Sequence, residues 1–182
     1  MKINKGFLHA AIYVLAIIFL GFSIFRIFLM PSEIKATSAA PLFTSIINDP
    51  EGKPQSLKQF QNKTIVLNFW ATWCPPCREE MPELSAMQEQ YKGQNFLIVG
   101  LSTDDLEQTK KFIKTAPVSY PILAGDTDAM NLAESLGNDR GILPYTVIVD
   151  TKGAVVKTFF GRVNQQLLEK TITPLLNVSA AK

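Results

Sequence analysis

Residues 64–69, Thr-Ile-Val-Leu-Asn-Phe, form a nearly continuous apolar run with β-branched side chains, the pattern of a strand buried on both faces. Such a strand needs a covering layer on each side, so it points to an α/β domain. Residues 95–101, Asn-Phe-Leu-Ile-Val-Gly-Leu, are a second run of the same kind. Between them, residues 74–91 favour helix, with Met81, Leu84, Met87 and Tyr91 at three- and four-residue steps. Pro82 lacks an N–H and should kink that helix.

The flanking chain extends the pattern. Residues 42–47 read as a short strand entering a turn at residues 48–52, and residues 56–60 as a brief helical turn. After the second core strand, Ser102 or Thr103 is suited to cap a helix carrying Asp104 and Asp105 in its first turn, with Leu106, Phe112 and Ile113 toward the sheet. A short strand near residues 121–123 and a helix over 128–136, stopped by Gly137, follow. Residues 145–149 and 154–160 are β-rich runs joined by Asp150-Thr151-Lys152-Gly153, a hairpin signal. Residues 163–176 finish as an amphipathic helix whose last turn Pro174 should break. The expected fold is α/β with a mixed central sheet flanked by helices. It should occupy residues 41–182 as one domain.

The first forty residues differ in kind. They hold Lys2, Lys5, Arg26 and Lys35 against Glu33, leaving 14 basic and 15 acidic residues in the remainder. A nearly neutral domain gives no electrostatic reason for a nucleic-acid partner. Residues 7–25 are almost wholly apolar, long enough at about 1.5 Å per residue to cross a hydrocarbon core of about 30 Å. Residues 1–30 are therefore read as a single-pass membrane anchor, and residues 31–40, small and polar, as a linker. Lys2 and Lys5 favour a cytoplasmic N-terminus with the domain exported. Arg26 opposes that orientation and would have to snorkel. The alternative is a cleaved secretory signal, which the small residues at 36–40 would suit.

The strand over 64–69 runs directly into Trp70-Ala71-Thr72-Trp73-Cys74-Pro75-Pro76-Cys77, which holds both cysteines of the chain. Cys74 as N-cap would lie at the positive end of a helix dipole, which lowers a thiol pKa. Pro75 and Pro76 suit the first turn but donate no N–H, so Cys77 is the first helical donor available. Arg78 adds favourable charge, partly offset by Glu79 and Glu80. Cys74 would attack a disulfide, Cys77 would resolve the mixed disulfide, and Glu80, three residues on, is the nearest base for Cys77.

Competing readings are weaker. A structural disulfide closing so small a loop constrains little unfolded chain. Zinc or copper binding would need more ligands, and the one histidine, His9, lies in the apolar segment. The same shortage removes a Cys-His hydrolase. Glu80 in its plainer role complements the helix dipole, while Met81, Leu84 and Met87 read as core. Trp70 and Trp73 flank the turn, where packing would hold Cys74 in place. A non-enzymatic copper-delivery or binding module is the alternative from another class.

The stretch from Phe69 through Cys74-Pro75-Pro76-Cys77 and Glu80 to Pro82, with residues 49–57, Ser102-Thr103-Asp104 and residues 141–150, resembles membrane-anchored bacterial thioredoxin-like proteins of the TlpA/ResA type. The resemblance implies a thioredoxin fold with an added N-terminal hairpin and a cis peptide before Pro144. It also implies that the Leu143 backbone pairs with substrate. It implies thiol:disulfide oxidoreductase activity needing no cofactor beyond the redox-active Cys74–Cys77 pair. Disulfide-containing exported proteins would be substrates, a transmembrane thiol reductase the electron donor, and the bacterial cytoplasmic membrane the location; without such a donor the alternative is a disulfide oxidant or isomerase. Cytoplasmic thioredoxins carry a buried aspartate where this chain has Asn68, and the ResA-like group places its acid at Glu80. Cytochrome c maturation relatives often carry an acid where this chain has Tyr145. Peroxiredoxins require residues that Leu67 and Ala71 do not provide.

Overall fold

The structure, a computed structural model, describes Phe19 and residues 38–180, with side chains through Leu176. The anchor predicted over residues 1–30 otherwise lies outside the described residues, as does most of the linker. Among the described residues no helix is long and apolar enough to cross a membrane.

A short helix α1 (Ala40–Thr44) leads to strands β1 (Ile46–Asn48) and β2 (Pro54–Ser56), then a 3-10 turn over Leu57–Phe60. Next come β3 (Thr64–Trp70), α2 (Pro75–Gln90), β4 (Phe96–Ser102), α3 (Leu106–Thr115) and β5 (Ile122–Ala124). The chain continues through α4 (Asp126–Ser135), β6 (Tyr145–Val149), β7 (Val155–Phe160) and α5 (Gln165–Ala180). The seven strands form one mixed sheet in the order β2-β1-β5-β4-β3-β6-β7. β3, β4 and β5 are mutually parallel, whereas β6 runs antiparallel to β3 and β7 to β6. The added hairpin β1–β2 joins β5 through the pair Asn48 and Ala124.

All seven residues of β3 are buried, as the unbroken apolar run requires. Its alternation divides the core. Ile65, Leu67 and Phe69 pack with Leu57, Phe60 and the α4 residues Leu132 and Ala133. Val66 and Trp70 face the other way, onto Met81, Leu84 and Met87 of α2 and Leu168 and Ile172 of α5. Full burial of each such large side chain stabilises the fold by about 1.5–3 kcal/mol. Asn68 shares the second face and is fully buried there.

Three local expectations are corrected. Residues 42–44 belong to α1 rather than to a strand, because Pro41 suits a first helical turn and Leu42 is buried by helical geometry. Helix α3 is capped by Asp105, which accepts from Gln108 N–H at 2.8 Å, not by Ser102 or Thr103. Those residues and Asp104 are engaged elsewhere, as shown below. Pro174 lies inside α5 and does not end it. Leu168 and Ile172 before it and Leu176 after it are all buried, so packing on both sides outweighs one lost hydrogen bond.

Candidate active site

The site begins where β3 stops. Thr103 donates to the Trp70 carbonyl from its N–H at 2.9 Å and from its hydroxyl at 3.3 Å. The next residue, Asp104, is 6% exposed, and its carboxylate accepts the Thr72 N–H at 2.5 Å. Its own N–H donates to Ser102 Oγ, which also accepts from the Thr109 hydroxyl. The end of β4 thus grips the loop that presents the cysteines. The sequence suggests Ser102 or Thr103 as a helix cap and Asp104 as a first-turn acid; their placement beside the end of β3 in the sheet gives them this other task.

Cys74 is the N-cap of α2, and Pro75 and Pro76 occupy its first two positions. The Cys77 N–H, the first the helix has to give, donates to Cys74 Sγ at 3.4 Å. The two cysteines form a disulfide with Cα atoms 5.3 Å apart. Both cysteines are buried, Cys74 keeping 3% exposure and Cys77 none, so the exposure the pair retains lies on the Cys74 side. Arg78 stacks over the Phe112 ring of α3, 5.7 Å from its centre.

The two tryptophans separate in role. Trp70 is buried and packs against Phe112 at 5.4 Å, whereas Trp73 is 68% exposed. Only Trp70 therefore braces the core behind the cysteines. The Leu143–Pro144 peptide is cis, and Leu143 packs against the cluster containing Cys74 and Cys77. Tyr145 is buried and donates to the Leu136 carbonyl at 2.7 Å, so its hydroxyl turns into the fold rather than toward a partner.

Behind Cys77 lies a buried polar cluster. Glu80 has no exposure; one carboxylate oxygen accepts Val163 N–H at 2.8 Å and the other accepts the Asn68 amide at 2.7 Å. That amide also donates to the Thr146 hydroxyl at 3.1 Å, Thr146 being the cross-strand partner of Asn68. Burial pushes the Glu80 pKa up to about 7, opposed by the Val163 and Asn68 hydrogen bonds. The Asn68 amide oxygen has no partner. A half-turn of the amide would let it accept from the protonated carboxyl, so Asn68 suits both states of Glu80. On the surface, Arg162 pairs with Glu83 at 2.7 Å and Glu79 at 3.8 Å, clamping the segment that carries Val163 to α2.

Among the described residues no group of three or more His, Cys, Asp and Glu side chains is placed to hold a metal ion. Thiol–disulfide exchange is the chemistry the residues assemble.

The sequence profile of the Redoxin family matches residues 35–174. The chain belongs to that family. The redoxin is 30% identical to the thiol-disulfide oxidoreductase ResA of Bacillus cereus, the match covering 96% of this chain and all of that protein. It is also 30% identical to ResA of Bacillus subtilis, over 92% of this chain and 91% of that protein. In structure it is similar to a thiol:disulfide interchange protein of the thioredoxin family from Chlorobium tepidum, with TM-score 0.67 and 25% identity. That match covers 80% of this chain and 99% of the other. The redoxin is accordingly a thioredoxin-like thiol:disulfide oxidoreductase of the ResA type, carrying the Cys74–Cys77 pair.

Proposed function

We propose that this redoxin is a membrane-tethered reductase of disulfides in exported proteins, facing the extracytoplasmic side. In the reduced state Cys74 thiolate attacks one sulfur of a substrate disulfide. A Cys74–substrate disulfide forms and the other substrate sulfur leaves as thiolate. Glu80 takes the Cys77 proton, and Cys77 attacks Cys74 Sγ, which expels the second substrate sulfur. Two electrons have then passed to the substrate, and the enzyme holds the Cys74–Cys77 disulfide. The backbone of Leu143, beside the cis-proline Pro144, aligns the substrate segment. A dithiol on a transmembrane thiol reductase returns the electrons, as an oxidising compartment demands.

The observation that carries this reading is the arrangement of one disulfide in which Cys74 keeps the pair's only exposure, Cys77 is fully buried, and Glu80 is buried three residues farther along the same helix. A nucleophile needs access, and a buried resolving thiol needs a buried proton acceptor. The test is trapping in cells with Cys77→Ser. Cys74 should remain covalently joined to exported proteins, which reducing gel analysis releases. Trapping by Cys74→Ser in its place would reverse the assigned roles.

A further inference from the structure

A groove of about 350 Å³ opens beside the cysteine loop, with Trp73, Met130 and Leu143 among its apolar residues and Glu134 and Asp139 also lining it. Trp73 is 68% and Met130 49% exposed, in a molecule that buries most of its large apolar side chains. Exposed apolar surface next to a reactive bond marks a contact area, and the flexible Met130 thioether adapts to varied side chains. Leu143 belongs both to this groove and to the packing around Cys74 and Cys77. A segment bound at the disulfide therefore continues into it.

The charge in the groove is one-sided. Glu134 and Asp139 are exposed, and neither forms an ion pair among the described residues. From residue 125 to residue 139 the chain carries four carboxylates and no basic side chain. Arg140 follows in sequence but does not line the groove, and the lysines of α3 line a different surface. We propose that Glu134 and Asp139 select substrates whose reacting cysteine is flanked by an apolar residue and then by lysine or arginine. The apolar side chain lies on Trp73 and Met130, and the basic one meets the two carboxylates. Acidic segments are rejected by the same charges. This selectivity rests on the oxidoreductase reading above.

The test measures exchange rates of the reduced full chain with disulfide-linked peptides in which Cys-Leu is followed by two Lys, two Gln or two Glu. Two exposed charge contacts should favour the Lys over the Glu peptide about tenfold at low salt, a preference largely lost at about 0.5 M salt. The double variant Glu134→Gln with Asp139→Asn should bring the three peptides to similar rates, and Glu134→Lys combined with Asp139→Lys should invert the order. Exchange without charge order in the native protein, or an order unchanged in the double variant, overturns the selectivity alone. No exchange with any peptide overturns the oxidoreductase reading and the selectivity with it.

Discussion

Glu80 is the residue whose environment says most about the chemistry. Removed from water, its carboxyl keeps a proton to about pH 7, where a solvated glutamate would have lost it near 4.5. Between those values the folded state binds more protons than the unfolded chain, so stability falls as pH rises from about 4.5 to about 7 and levels off above. A shift of that size corresponds to at most about 3 kcal/mol. Urea unfolding across this range should show the decline in the native protein and a flatter profile in Glu80→Gln. The kinetic consequence runs opposite: resolution of the mixed disulfide should speed up through pH 7 as the carboxylate forms, and Glu80→Gln should slow it by about 10²-fold or more. Unchanged release rates in that variant would remove Glu80 from the reaction. The position of Glu80 on the Cys77 side of the helix is readable from its three-residue spacing. Its pairing with Asn68 and Val163 is not, because those residues lie 12 and 83 positions away in the chain.

Among the elements, the turn from β4 into α3 decides how the cysteines are held. Asp104 is a buried acceptor for Thr72 N–H, and removing it would leave that donor without its partner. Asp104→Ala should lower stability by about 1–3 kcal/mol, whereas Asp104→Asn, which keeps an acceptor oxygen, should cost less. Equal losses in the two variants would mean the hydrogen bond to Thr72 is immaterial. Strands β3 and β4, helix α2 and the β6–β7 hairpin were legible because each is announced by its own period or turn residues. Helix α1 and the passage of α5 through Pro174 were not. There, packing against the sheet overrides the local signal, which for five residues around Pro41 is weak and for Pro174 is misleading.

At the scale of the molecule, the chain divides between Lys35 and Ala36, and both apolar clusters flanking the sheet are built from residues beyond that point. A fragment of residues 36–182 should therefore fold cooperatively and exchange disulfides as the full chain does. Calorimetry and exchange kinetics check this, and a fragment without a cooperative transition would show that the first 35 residues support the fold.

What the amino-acid order determined alone is the α/β class and the Cys74-Pro75-Pro76-Cys77 chemistry at a helix start. These follow from spacing and periodicity, which are local properties of a chain. The tertiary structure decided what surrounds that motif: Asn68 opposite Thr146 beneath Glu80, Asp104 on the Thr72 backbone, and Trp73 beside Met130 in an acidic groove. Each depends on strand register and on which helix covers which face. Only the folded sheet sets those distances.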